Sequence, residues 1–257
     1  MRNLVGLFAP LPTPFTDDTS SISEVRLGRL IRHFLDEGVQ GFVVGTTVGE
    51  FSTLSLAERK HLLELTVRMA EGHPVIVHAT CFATSPTLDL AQHAARTGAN
   101  LLVVSPPPFG EFTDDEVFQF ISFVAHHASL PVAVVDPTRR ITAALRERLN
   151  ALPTVMQTAS VSGIAAFYPE GTHSDQFSLN EARISPIVTL APWRLYPDAL
   201  AHWLPEPLRH AGSARVVKAA LELQGFECGP LRGPLASLQD SLRGALSDFA
   251  LNHSDAA

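Results

Sequence analysis

The chain has 257 residues, 46% of them hydrophobic and 18% charged, with a formal net charge of −7. That length and hydrophobicity provide a sizeable core and exclude wholesale disorder. The acidic balance excludes nucleic acid or an anionic membrane surface as the main partner, and no apolar run reaches the eighteen or so residues of a membrane helix.

Met1, Arg2 and Asn3 lead straight into a strand-like segment, so no signal peptide is expected. Cys81 and Cys228 lie far apart and are expected as two unpaired thiols in a reducing cytoplasm. Of the nineteen basic residues only Lys60 and Lys218 are lysines, and only Tyr168 and Tyr196 are tyrosines. Both scarcities bear on the chemistry below.

The first strand is predicted over residues 4–9, followed by a helix over 23–37 that Gly38 ends. A strand over 41–45 runs into the turn Gly45-Thr46-Thr47-Val48-Gly49-Glu50. The next helix, 55–71, opens on Ser55 with Glu58 three residues on, the spacing of a capping box. Strand 74–79, helix 86–97 closed by Gly98, strand 100–105 and helix 113–127 follow. That last helix ends in His126 and His127, which suit the negative end of its dipole and need no ligand. Strand 131–135, helix 142–151 and strand 155–159 complete the regular part.

Every strand is apolar throughout, so both faces are expected to be buried in a parallel sheet. Repeated strand–helix units of this kind specify a doubly wound sheet or a (β/α)8 barrel. After Ala159 the rhythm breaks: 24 residues, 160–183, cannot hold helix, strand and helix at normal lengths. A missing or very short sixth helix is expected there, with a seventh strand near 164–168. A strand over 184–190 and helices near 214–224 and 234–250 close the chain. No repeat or linker interrupts it, so residues 1–257 are expected to form one domain, with C-terminal helices from about residue 198.

The turn after the second strand is the first place to expect chemistry. Backbone N–H groups before a helix favour an anion, and the hydroxyls of Thr46 and Thr47 beside Gly45 add donors. The alternative is a turn shaped by Gly45 and Gly49 and capped by its own hydroxyls. Other polar residues at predicted strand ends are Glu50, His78, Cys81, Asp136 and Arg139. His78 and Cys81 are candidates for a nucleophilic pair, or else for a hydrogen-bonded histidine and a buried thiol. Glu50, His78 and Asp136 have the chemistry to gather a divalent ion, but no tight ligand motif joins them. No metal and no cofactor are expected.

Several stretches, in order, resemble the dihydrodipicolinate synthase / N-acetylneuraminate lyase family of (β/α)8 aldolases. "APLPTPFTDD" is similar to the family's opening strand and Thr-Pro-Phe turn. "GTTVGEFSTLSLAER" resembles its Gly-Thr-Thr-Gly-Glu loop, with Val48 as an extra residue. "TGANLLVVSPPPF" resembles the fourth strand with its Pro-Pro-Tyr-Tyr end, and "VVKAALELQGFECGPLRGPLASL" the C-terminal helix and Arg-Pro-Pro-Leu turn. The resemblance spans residues from about 5 to about 250. It implies a (β/α)8 barrel, a homo-oligomer (dimer or tetramer), and a carboxylate of pyruvate or another 2-oxo acid at Gly45, Thr46 and Thr47. It also implies that Arg139 meets a second carboxylate at the entrance.

The same resemblance exposes what this chain lacks. The family's imine chemistry needs a lysine near the end of strand six, whose amine condenses with a ketone. The matching position in "LPTVMQTASVSG" is Ala159. A methyl group forms no imine. The family's Tyr-Asn-x-Pro-x-Arg pattern meets "PVAVVDPTRR", which puts Val134 or Val135 at the tyrosine and Asp136 at the asparagine. The aromatic pair after strand four is reduced to Pro108 and Phe109. Lys60 is expected on a solvated outer helix and Lys218 at a non-catalytic position of the family's C-terminal helix, so neither is expected to form an imine. Tyr168 and Tyr196 fall where the chain departs most from the family.

Three functions stand open on sequence. One is a divergent, lysine-deficient member acting on a 2-oxo acid without an imine, with His78, Cys81 and Asp136 as catalytic candidates. Another is a silent barrel that binds a carboxylate or a protein partner. The third is an ordinary pyruvate-dependent lyase whose lysine is misaligned.

Overall fold

A computed structural model describes residues 4, 8–107, 110–136, 140–160, 208 and 211–254. Strands and helices alternate: β1 (Phe8–Pro10), α1 (Glu24–Asp36), β2 (Gly41–Val44), α2 (Leu56–Met69), β3 (Val75–His78), α3 (Thr84–Thr97) and β4 (Leu101–Val104). Then come α4 (Asp114–His127), β5 (Val132–Asp136), α5 (Ala143–Asn150) and β6 (Val155–Ser160), with α6 (Ser213–Leu223) and α7 (Asp240–Ser254) toward the C-terminus. A short 3-10 turn, Phe51–Thr53, precedes α2.

The six described strands pair in parallel in the order β1-β2-β3-β4-β5-β6. A doubly wound sheet reverses its strand order partway; this one does not. The two faces also differ. One face packs Phe8, Val43, Ile76, Leu101, Val103 and Ala133 against each other, with Leu4 and Val135 alongside, and no described helix contributes to that layer. The other carries Phe42, Val44, Val75, Val77, Leu102, Val104, Val132 and Val134 against helix side chains such as Phe34, Leu62, Ile121 and Leu145. An apolar layer made of strand side chains alone is the interior of a (β/α)8 barrel, with the helices as its outer ring. A third, smaller core joins Val216, Ala219 and Ala220 of α6 to Leu238 and Leu246.

Local chemistry explains the element boundaries. Ser55 and Thr113 each accept a backbone N–H three residues on, while Glu58 and Glu116 reach back to the cap. Gly98 ends α3 at φ +97°, a conformation costly to any residue with a Cβ. The first strand, expected over 4–9, is Phe8–Pro10, with Leu4 outside it, and two helix starts differ from expectation by two residues or more. Helix α3 begins at Thr84, not Pro86, because a proline in the first turn gives up an N–H that has no intrahelical acceptor anyway. Helix α7 begins at Asp240, and the carbonyls of Ala236 and Leu238 ahead of it accept instead from Arg215 and Arg243. The short sixth helix, the seventh strand and the strand at 184–190 lie outside the described residues. No described helix is long and apolar enough to cross a membrane.

Candidate active site at the strand ends

In a barrel the loops after the strands meet at one end, and alternate residues of each strand point inward. The turn after β2 is held from three sides. Gly45 takes φ +75°, and a Cβ there would stand 3.1 Å from the carbonyl oxygen of His78. Thr13 Oγ1 donates to the Gly49 carbonyl at 2.6 Å, and a Cβ on Gly49 would lie 2.9 Å from the Leu11 oxygen. Val48 is fully buried in the layer between strands and helices. The extra residue therefore anchors the turn instead of covering it.

Thr46 and Thr47 part company. Thr47 is exposed, whereas Thr46 is 9% exposed and its Oγ1 is buried with no hydrogen-bond partner. Leaving such a group unpaired costs about 1–3 kcal/mol. Among the described residues, no acceptor stands on the N–H of Thr46 or Thr47 either. The turn is thus a set of donors without acceptors, the arrangement an anion satisfies.

Beneath the turn lies Arg59 of α2, which is 6% exposed. Its Nη1 donates to the Thr80 carbonyl at 2.9 Å and to Cys81 Sγ at 3.1 Å, and its Nη2 donates to the His78 carbonyl. Among the described residues, no carboxylate pairs with it. Burial lowers its pKa, and the Cys81 sulfur opposes that shift. A guanidinium locked under the turn leaves the site positive without occupying it.

His78 ends β3, inward of Ile76 by the period-two alternation. Its Nδ1 lies 2.9 Å from the Gly45 carbonyl, which as an acceptor fixes the proton on Nδ1. Nε2 is left as the acceptor, 3.3 Å from Ser105 Oγ at the end of β4. The ring meets Phe51 edge-on at 5.2 Å. Burial and, secondly, the Arg59 charge press its pKa down to about 4, so the imidazole is neutral at pH 7. Ser105 itself is 6% exposed, and its N–H donates to Thr80 Oγ1.

The remaining candidates lie in separate surroundings. His78 and Cys81 are not hydrogen-bonded to each other: the imidazole meets Gly45 and Ser105, and the thiol meets Arg59. Glu50, His78 and Asp136 do not gather a metal, and no described cluster of His, Cys, Asp or Glu could hold one. Glu50 Oε1 lies 2.6 Å from Lys218 Nζ, and its Oε2 accepts the Arg232 N–H. Asp136 is buried and accepts the Ile141 N–H at 2.6 Å, shaping the loop into α5.

Lys60 is not simply solvated: it pairs with Asp89 at 2.7 Å, between α2 and α3. Lys218, on α6, also donates to the Pro230 carbonyl and lies over the Phe15 ring. Both amines are engaged in ion pairs, one between outer helices and the other between α6 and the turn.

Of the two valines at the family's tyrosine, Val135 lies on the inner layer and Val134 on the outer. In the parallel register Val135 faces Ala159. Arg139 lies outside the described residues, as do Pro108, Phe109, Tyr168 and Tyr196. Counting five residues on from Val135, as the tyrosine–arginine spacing requires, leads to Arg140. That side chain is exposed and donates to the Gly110 carbonyl at 3.1 Å.

Two residues went unsuspected in the sequence. Arg59 sits beside Lys60 in a polar stretch, although its spacing to Leu62, Leu63 and Thr66 puts it on the buried stripe. Ser105 follows a four-residue apolar strand at the same inner end as His78, a parity that points to a pairing across strands.

Against known proteins, the family model described as "Dihydrodipicolinate synthetase family" matches residues 3–164. The chain is 25% identical to 4-hydroxy-tetrahydrodipicolinate synthase of Clostridium perfringens strain 13, over 92% of this chain and 94% of the relative. It is 33% identical to the Methanopyrus kandleri enzyme of the same name, over 54% of this chain and 47% of the relative. Dihydrodipicolinate synthase from Thermotoga maritima has the same fold, with a TM-score of 0.76 at 24% identity and all of both chains covered. Ruminococcus gnavus sialic acid aldolase shares it too, with a TM-score of 0.73 at 20% identity over 98% of this chain and 97% of that one.

Proposed function

Since the chain belongs to the dihydrodipicolinate synthetase family, we propose that it binds the carboxylate of a small 2-oxo acid at the turn after β2, and acts on it without forming an imine. The observation that carries the reading is the buried, unpartnered Oγ1 of Thr46. A fold holds such a hydroxyl without a partner at a cost, and a bound carboxylate removes it. Gly45 gives the turn its backbone path, and Arg59 below it adds an uncompensated positive charge. Arg140, or Arg139 beside it, serves a second anionic group at the entrance.

The lack of an imine is supported by the engagement of both lysines and by the sequence, which has valine at 135 and alanine at 159, two positions in register on adjoining strands. That pairing also favours a second reading, a barrel that binds its carboxylate and does no chemistry. The ordinary lyase reading would need one of the two lysines to leave its carboxylate partner.

Hydrogen bonds to a charged group contribute about 1.5–3 kcal/mol each, and ordering the ligand offsets much of that. Binding on the order of millimolar is therefore expected. Calorimetric titration with pyruvate and longer 2-oxo acids should give heat with the parent and none with Thr46→Val. Because the substitution removes an unsatisfied buried hydroxyl, the variant should melt no lower than the parent. A parent that binds none of these acids, or a Thr46→Val variant that binds as well, would remove the turn from the account.

A further inference from the structure

Among the described side chains, the end of β5 presents Val135 to the inner layer, and polar groups stand instead at the ends of β3 and β4. There His78 Nε2 and Ser105 Oγ are 3.3 Å apart. We infer that His78 and Ser105 form a proton relay that enolises the 2-oxo acid held at the neighbouring turn, taking a proton from the carbon next to the ketone. This rests on the carboxylate reading above and names the chemistry of that same site.

The geometry constrains the roles. Gly45 belongs both to the anion turn and to the relay, since its carbonyl takes the Nδ1–H of His78 at 2.9 Å while its own carboxyl-side neighbour is Thr46. A ligand carboxylate on Thr46 is thus held one residue away from the group that orients the imidazole. With Nδ1 committed, the Nε2 lone pair points at Ser105, so a proton reaching it along that line passes through the Ser105 hydroxyl. In the step, the C3–H bond of the 2-oxo acid breaks and its proton goes to Ser105 Oγ as the original hydroxyl proton moves to His78 Nε2. The C3–H electron pair becomes the C2–C3 double bond, and the carbonyl π pair moves onto the C2 oxygen. The products are an enolate, an imidazolium and an intact serine, and the reverse step returns the proton from solvent.

The surroundings fit a base that is strengthened when substrate binds. Burial and the Arg59 guanidinium hold the free imidazole neutral, with its lone pair available. A carboxylate arriving at the turn offsets the Arg59 charge and raises the basicity of His78. Phe51 packs against the ring at 5.2 Å. The hydroxyl, at 3.3 Å, is within the looser range expected before substrate draws the groups together.

The test is deuterium exchange into the methyl group of pyruvate in heavy water, followed by proton NMR, with calorimetric binding measured on the same samples. His78→Asn keeps an N–H for the Gly45 carbonyl and removes the base; Ser105→Ala removes the relay hydroxyl. Thermal melts establish that both variants are folded. The parent should exchange the methyl protons faster than buffer alone, and each variant should lose on the order of a hundredfold, the usual scale of general-base catalysis, while still binding pyruvate. Binding by the parent without exchange overturns the relay and leaves the carboxylate site standing. Exchange that survives in Ser105→Ala or His78→Asn also overturns it. A parent that neither binds nor exchanges overturns both.

Discussion

At the scale of single residues, His78 links the structure to a pH response. Its ordinary pKa of 6.5 falls to about 4 in the fold, because burial and the nearby Arg59 charge disfavour the imidazolium. Between those values the unfolded chain holds a proton the folded chain does not, so stability declines as pH drops from 6.5 toward 4 and is fully retained above 6.5. This residue's share is on the order of 2–3 kcal/mol. Urea melts at pH 7 and pH 5 should show a smaller loss for His78→Asn than for the parent. Equal losses would mean the imidazole titrates normally. His33, stacked on Phe226 and likewise depressed mainly by burial, shifts the same way in both proteins and cancels from the comparison.

Among the elements, α6 is tied to the turn after β2 by one buried network. Lys218 is paired with Glu50, Glu50 accepts from the Arg232 backbone, and the Arg232 guanidinium reaches Glu58 at 2.7 Å and covers Phe15. Burial lowers the Lys218 pKa, and Glu50 opposes that shift. Removing one partner of such a pair leaves a charge buried alone, which costs about 3–5 kcal/mol. Lys218→Met should lower stability by that amount in urea melts. Adding Glu50→Gln should recover part of it, since an amide takes the same left-handed backbone at φ +55° and carries no charge. If the double variant is no better than the single, the two charges are not acting as a pair.

These same elements mark what could be read from sequence. Helices α1, α2, α4 and α5 were legible to within two residues because caps and apolar spacing are local. Thr46 stands out as a candidate because glycine and hydroxyls cluster in one turn. Pairings across the barrel were not: Glu50 meets Lys218 from distant parts of the chain, and Ser105 meets His78 across adjacent strands. No local pattern encodes which strand neighbours which. Lys218 therefore read as a bystander, and Ser105 as the last residue of a strand.

For the whole molecule, the sequential strand order, the strand-only inner layer and the family match agree on one barrel of the dihydrodipicolinate synthetase family. The central proposal is that the barrel handles its ligand with no amine at hand. Lys60 lies between outer helices and Lys218 in an ion pair. An imine requires a neutral amine at the ketone. The direct measurement is borohydride reduction in the presence of pyruvate, followed by intact-mass and peptide analysis. Neither lysine should gain mass at a pyruvate concentration where calorimetry shows binding. A reduced pyruvate adduct on Lys218 or Lys60 would contradict it and restore the imine mechanism.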